Sequence, residues 1–392
     1  MLKKMDKKVF GVLFFSIFTS VTGVGIVVPL LPVYAHNLGA SGMYIGLIFG
    51  AFSLSRTVFM PYFGRLSDKN GRKPYIVSGL FAYTLISIAF LFANDVNSLI
   101  VVRFIQGIAS AMMMPVIQAY VGDITPVGNE GLTMGMFSMS MFFGLSAGPL
   151  MGGTINDRFG LDISFLCMGF LTLTGFLCSF FLLPPTKSER ITSHDKNPVE
   201  WKLLLRDINL VGFFIFRFAY ASCIGVIWGF MPVFADSEFS LSSSSIGIII
   251  MLGVFVSGLI HMPMGYVADR TSRKMMVILG GLITVIAMLA FIWADSFFDL
   301  FIANMLFGLG GGVSMPALMA LVVVEGNKTR SMGSVMGLLT MAHSFGMLIG
   351  SLLGGLVMDL FYLRLAFPFG SIIMALGVIL FFACTCRKQE QN

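Results

Sequence analysis

The residues best suited to chemistry in this chain are charged side chains placed in or beside long apolar segments. Residues 64–73 read GRLSDKNGRK, and a related segment, GYVADRTSRK, occupies residues 265–274 at an offset of 201 positions. Acidic and basic side chains of such a segment can form a charge network at a helix end. We expect Asp68 and Arg72 to form that network and Gly71 to allow a tight turn.

Three cations lie inside the apolar segments themselves: Arg56, Arg103 and Arg217. A cation in a membrane span costs about 2.5–3.5 kcal/mol on insertion scales, so it needs a partner or a watery cavity. All nineteen acids lie in loops or within about a turn of a segment end, so no embedded carboxylate is available to carry a proton. The cation excess favours an anionic or zwitterionic substrate. The alternative is that Arg56 and Arg217, about two and a half turns from the cytoplasmic ends, snorkel to the loops.

Other chemistries lack a supporting pattern in the sequence. There is no GxxxxGK[ST] stretch to hold a nucleotide phosphate, no HExxH, and no Ser/His dyad or acid pair at helical spacing. The five cysteines lie in or beside apolar segments, and no histidine accompanies them at zinc-ligand spacing. We therefore predict a protein that is not an enzyme and uses no cofactor or metal.

The elements that position these residues are predicted to be membrane helices. Hydrophobic residues make up 57% of the chain and charged residues 11%, whereas a soluble domain has about 25% charged residues. Mean hydropathy is +0.91. The apolar residues form about twelve runs near 20 residues long, without the alternation of barrel strands. The predicted helices are residues 9–31, 43–63, 75–93, 98–120, 132–155, 164–183, 208–233, 244–266, 275–294, 298–322, 332–357 and 366–386.

The basic residues indicate the orientation of these helices. With twelve spans and the N-terminus inside, only Arg158 and Arg364 fall on the outer side, while the other lysines and arginines outside the spans are cytoplasmic. By the positive-inside rule, both termini lie in the cytoplasm of a multi-pass protein of the inner (plasma) membrane. The net charge of +6 thus reflects topology, so the predicted surroundings are the lipid bilayer and no nucleic acid, with the protein as a monomer.

The chain also repeats itself over two halves. Offsets of 201 or 202 relate further pairs: Gly46 with Gly247, Arg103 with Asn304, Gly107 with Gly308, Pro115 with Pro316, Asp123 with Glu325, Gly144 with Gly346, Gly148 with Gly350, Gly152 with Gly354, and Asp157 with Asp359. We predict an all-α integral membrane protein of twelve transmembrane helices in two pseudo-symmetric six-helix bundles. The bundles are residues 1–183 and 208–392, joined by a cytoplasmic linker at 184–207, with a substrate site at the midplane between them.

Four segments make the chain resemble the major facilitator superfamily, specifically its twelve-helix drug:proton antiporter branch. They are TGVGIVVPLLP at 22–32, GRLSDKNGRK at 64–73, RFIQGIASA at 103–111 and GLSAGPLMGG at 144–153. The resemblance covers essentially the whole chain. It implies the major facilitator fold and alternating access, in which one half rocks against the other.

The resemblance further implies roles for individual residues. It implies a cytoplasmic gating network, with Gly64 allowing close helix approach: Gly64, Asp68, Gly71, Arg72 and Asp123. The alternative for this segment is a basic loop that only sets topology. The resemblance also implies an antiporter motif in the fifth helix, bent by its proline and favouring export: Gly144, Gly148, Pro149 and Gly152.

Proton coupling is expected to involve Arg103 and the remaining titratable groups. The resemblance implies that Arg103 influences proton transfer, and the alternative is a structural arginine bonded to backbone carbonyls. Histidines are candidates because their usual pKa is about 6.5. The full candidate set is Arg103, Asp123, Glu325, His343 and His261, together with Asp68 of the gating network.

A substrate cavity is expected to combine polar side chains near mid-span with adaptable methionine and aromatic surfaces. The candidates are Arg56, Gln106, Met113, Gln118, Arg217, Trp228, Asn304 and Thr340. We predict a secondary active transporter that exports small amphipathic compounds or drugs in exchange for protons. One alternative is an exporter of a specific anionic or polar metabolite, such as a sugar, organic acid or siderophore. Another is a sensor that keeps the fold without transporting.

Overall fold

The computed structural model describes residues 6–125, 130–185, 207–328 and 332–386. This part of the chain forms twelve α-helices, each long and apolar enough to cross a membrane. They are α1 Lys7–Asn37, α2 Gly42–Asn70, α3 Lys73–Leu91, α4 Val96–Ile124, α5 Glu130–Phe159, α6 Leu161–Leu182, α7 Ile208–Phe239, α8 Ser243–Arg270, α9 Arg273–Ala290, α10 Phe297–Lys328, α11 Met332–Leu360 and α12 Ala366–Cys386. The predicted all-α fold with twelve membrane helices is confirmed.

Several helices run well past the apolar segments that predicted them. The second helix was predicted to end at residue 63, but α2 continues to Asn70, so most of the charged segment is helical rather than a turn. Hydropathy marks only the part of a helix that lies in hydrocarbon, while the backbone hydrogen bonds continue into the polar boundary. The chain turns only at Gly71 and Arg72, where Gly71 has a φ of +88°. That left-handed conformation is accessible to glycine without a Cβ clash.

The described residues form two compact units. Unit 1 contains residues 6–39, 51–125, 130–185 and 242–251. Unit 2 contains residues 40–50, 207–241, 252–328 and 332–386. Two short segments are exchanged between the sequence halves, since the first turns of α2 belong to unit 2 and those of α8 to unit 1. Of the predicted linker at 184–207, residues 186–206 lie outside the described residues.

A carboxylate holds each exchanged segment in its unit. In unit 2, Asp359 near the end of α11 accepts the first two backbone N–H groups of α2, at 2.6 and 2.8 Å. In unit 1, Asp157 near the end of α5 accepts the first two N–H groups of α8, at 3.0 and 2.8 Å. These N–H groups have no intrahelical acceptor, and the helix dipole favours an anion there. Asp157 and Asp359 are repeat partners, so the same cap occurs twice.

Candidate functional site

Arg72 gathers three acceptors at the junction of α2 and α3. Its guanidinium donates to Asp123 of α4 at 3.1 Å, to the Ser67 hydroxyl at 2.9 Å, and to Asp68. The Arg72 side chain is 8% exposed, whereas those of Asp68 and Asp123 are 46% and 44% exposed. A buried cation is therefore held by two carboxylates that remain open to water.

Two residues of this segment differ from the sequence expectation. Gly64 was expected to allow close helix approach, but no atom lies within 4 Å of the position its Cβ would occupy. Ser67, for which the sequence predicts no role, is fully buried and is a third acceptor for Arg72. Its role follows once α2 is known to be helical as far as Asn70, because the helix turns Ser67 inward.

The second copy of the charged segment is simpler. Arg273 forms an ion pair with Asp269 at 3.1 Å, and the two side chains are 31% and 69% exposed. Glu325, the repeat partner of Asp123, forms an ion pair with Lys328 at 3.1 Å. The duplication therefore preserves the turn, while the buried three-acceptor arrangement is found in unit 1.

The glycines of the predicted antiporter motif bring α5 into backbone contact with α1. A Cβ on Gly148 would lie 2.6 Å from the Gly25 Cα, and one on Gly152 would lie 2.6 Å from the Ile26 carbonyl oxygen. A Cβ on Gly144 would approach the Phe18 and Thr22 backbones at 3.0 and 3.2 Å, and Pro149 also lies inside α5. Larger side chains would separate these helices.

A second polar cluster surrounds Arg103 on α4. Its Nη1 donates to the Gln106 Oε1 at 2.8 Å, and its guanidinium lies 4.5 Å from the Phe52 ring centroid. Arg103 and Gln106 are 2% and 0% exposed. Asp123 lies near the other end of α4, so the structure does not bring it together with Arg103. At the equivalent place in unit 2, the Asn304 side chain lies against Gly253 of α8.

Arg217 of α7 is the centre of a corresponding cluster in unit 2. Its Nη1 lies 2.7 Å from the Met315 sulfur, and His261 of α8 is close enough to interact with its charge. Tyr220, one turn along α7, stacks on Phe307 with ring centroids 5.4 Å apart. The last proton-transfer candidate, His343, is half-buried on α11. The candidates of unit 2 thus lie on separate helices.

The remaining cavity candidates have different surroundings. Met113 is fully buried at the contact of α4 with α3, where a Cβ added to Gly79 would lie 3.0 Å from the Met113 Cβ. Met113 therefore contributes to the interior of unit 1. Trp228 is half-buried and Gln118 is exposed. Thr340 is also exposed, and its hydroxyl donates to the backbone of its own helix at 3.0 Å.

Twelve apolar helices, a twofold internal repeat, and arginines held inside the helix bundles define a polytopic membrane transporter. The sequence profile of the Major Facilitator Superfamily matches residues 13–236 and 213–391. The chain belongs to that family.

Two relatives are similar over almost the full length of the chain. An MFS-type transporter of Methanocaldococcus jannaschii is 29% identical over 385 residues, covering 96% of this chain and 98% of the relative. Multidrug resistance protein 2 of Bacillus subtilis is 29% identical over 383 residues, covering 95% and 94%. Among solved structures, the human organic anion transporter MFSD10 (TETRAN) has a TM-score of 0.68 at 18% identity, covering 96% of this chain and 99% of that one. That likeness concerns the fold.

Proposed function

We propose that this transporter exports small amphipathic compounds in exchange for protons. The observation that carries the proposal is the tight glycine contact of α5 with α1, within a segment that resembles the antiporter motif. The similarity to Multidrug resistance protein 2 over 95% of the chain supports the same substrate class. The transported compound would be a drug-like molecule with apolar and polar parts.

The Arg72 network provides a chemical basis for proton coupling. Protonation of Asp68 or Asp123 neutralises a carboxylate that pairs with the buried Arg72 guanidinium. The loss of that charge weakens the attachment of Arg72 to α2 or α4. We propose that this release gates the cytoplasmic side during alternating access. Glu325, His261, His343 and Arg103 are the further candidates for the proton path.

A second candidate function is export of an anionic metabolite. Arg56, Arg103 and Arg217 lie inside helices, while every acid among the described residues lies near a helix end or between helices. An unbalanced embedded cation favours an anionic partner. The human organic anion transporter that shares the fold is consistent with this alternative.

Expression in a bacterial strain that lacks its own exporters tests the main proposal. We expect raised resistance to several lipophilic drugs, and we expect an uncoupler to abolish that resistance because the proton gradient drives export. Asp123→Asn should lose the resistance, while a charge-neutralising change at exposed Lys7 should keep it. Resistance that survives the uncoupler would contradict proton drive, and export confined to small polar organic acids without an apolar part would favour the second candidate.

The setting of this activity is also a proposal. We propose that the protein works as a monomer in the plasma membrane. We also propose that both termini lie in the cytoplasm, because the basic residues concentrate on one side of the predicted topology.

A further inference from the structure

The polar cluster of unit 1 contains a buried hydrogen-bond donor that has no partner among the described residues. Arg103 can only donate hydrogen bonds, so the Gln106 atom that faces it must be the amide oxygen. The Gln106 amide nitrogen therefore points elsewhere. It is buried, and among the described residues it has no hydrogen-bond partner. Buried polar groups in native proteins are normally satisfied, so an unused donor indicates that something else occupies this position.

A second guanidinium, that of Arg56, lies on the neighbouring helix α2 of the same unit. A Cβ on Gly107 would be 2.0 Å from the Ser55 hydroxyl, so α2 and α4 are in direct contact at this level. Arg56 follows Ser55 on α2 and Gln106 precedes Gly107 on α4, so both residues lie at the level of this contact. Arg56 lies at the midpoint of α2 and is half-buried. Among the described residues, its Nε is buried without a hydrogen-bond partner and its guanidinium forms no salt bridge.

The groups near Arg56, namely Tyr83 and Arg103, supply no negative charge to balance the Arg56 guanidinium. The hydroxyl of fully buried Tyr83, on α3, lies within electrostatic range of both Arg56 and Arg103. Tyr83 thus links Arg56 to the Arg103 cluster, and Arg56 forms no salt bridge among the described residues. A water molecule could satisfy the Gln106 amide, but it could not balance the charge of Arg56. A carboxylate does both, because its two oxygens match the guanidinium fork and can also accept from an amide.

We propose that Arg56 and the Gln106 amide form the headgroup subsite for a substrate that carries a carboxylate. Arg56 binds the carboxylate, Gln106 donates to one of its oxygens, and Arg103 is a positioning residue that fixes the orientation of the Gln106 amide. The inference rests on the proposed transport function and narrows its substrate class to amphipathic monoanions.

A matched pair of probes tests the subsite on the purified full-length protein. The probes are radiolabelled 1-naphthoate and 1-naphthamide, which share a ring system and differ in headgroup charge. We expect 1-naphthoate to bind at least ten-fold more tightly. Arg56→Gln should remove that preference by weakening 1-naphthoate binding at least ten-fold, Arg56→Lys should keep part of the preference, and Lys7→Gln should have no effect.

Gln106→Glu provides a second test that does not depend on removing a buried charge. The new carboxylate pairs with Arg103 and repels the probe, so 1-naphthoate binding should weaken at least ten-fold in a folded protein, while 1-naphthamide binding persists.

Equal binding of the two probes to the unmodified protein would overturn the proposal. So would unchanged 1-naphthoate binding in both variants. Export of neutral drugs without an anion preference would defeat this inference alone, whereas anion binding without flux under a pH gradient would defeat only the transport proposal.

Discussion

Arg72 is buried, while both of its carboxylate partners are half exposed. This uneven burial matters because a buried guanidinium depends on its protein acceptors, whereas the exposed carboxylates can also be hydrated. The Ser67 hydroxyl, as a neutral acceptor, keeps the guanidinium partly satisfied when one acid is lost. The network is therefore suited to weakening stepwise rather than collapsing.

Asp123→Asn and Asp269→Asn compare the buried network with its exposed copy. We expect Asp123→Asn to lower the free energy of unfolding by about 1–3 kcal/mol, because a buried guanidinium loses a charged acceptor. Asp269→Asn breaks a pair that is 31% and 69% exposed, so the expected loss is about 0–1 kcal/mol. Thermal unfolding of the purified proteins measures both. Equal losses would show that burial of Arg72 adds nothing to the interaction.

Gly64 and Gly71 belong to one sequence motif but should respond oppositely to alanine. Gly71→Ala forces a Cβ into a backbone with φ of +88°, which costs about 1–2 kcal/mol. Gly64→Ala places a methyl group in open space on a helix, where it should stabilise by up to about 1 kcal/mol. The same thermal measurement gives both signs. A destabilising Gly64→Ala would mean that this glycine is needed for close approach after all.

At the scale of helices, glycine sets which pairs touch. In unit 1, Gly148 of α5 lies against Gly25 of α1, and in unit 2, Gly350 of α11 lies against Ser222 of α7, where an added Cβ would be 2.1 Å from the carbonyl oxygen. The two helix pairs are related by the repeat. Both use backbone contact, which membrane helices achieve through small residues.

Gly148→Ala should separate α1 from α5, whereas Gly135→Ala on the same helix should be harmless. The added methyl at Gly148 would lie 2.6 Å from the Gly25 Cα, and overfilling a close contact costs about 1–3 kcal/mol. Gly135 is the matched control, because no atom lies within 4 Å of the position that its added methyl would occupy. We expect lower thermal stability and reduced drug export for Gly148→Ala only. Full export by that variant would separate the glycine contact from transport.

For the whole molecule, the repeat duplicates the framework more faithfully than the chemistry. The caps made by Asp157 and Asp359 and the glycine contacts occur in both units. The charge clusters differ, since Arg72 has three acceptors while Arg273 pairs with Asp269, and Arg103 is replaced by Asn304. The two units therefore share one fold, while the buried arginine clusters of unit 1 differ from the corresponding sites of unit 2.

The proposed orientation can be tested by labelling single cysteines in a cysteine-free version of the protein. With the N-terminus inside, the turn between α8 and α9 is cytoplasmic and the turn between α7 and α8 is external. A cysteine at Ser272 should react with a membrane-impermeant maleimide only after the cells are opened, and one at Ser240 should react in intact cells. The reverse pattern would invert the topology and remove the cytoplasmic assignment of the Arg72 network.

The sequence by itself determined the number of helices, the repeat and the family resemblance. Apolar runs near 20 residues long are a direct consequence of bilayer thickness, so the sequence alone is enough to recognise them. The pairing of Arg72 with Asp68 was also predictable, because the two residues are four positions apart and α2 stays helical at Asp68.

Only the tertiary structure decided which residues from different helices meet. The role of Ser67, the open space beside Gly64, the burial of Met113 against Gly79, and the unused amide of Gln106 all depend on how neighbouring helices rotate and cross. Those angles are set by side-chain contacts between segments distant in sequence. Hydropathy cannot predict these crossing angles and rotations, because in a membrane the lipid-facing and helix-facing surfaces are both apolar.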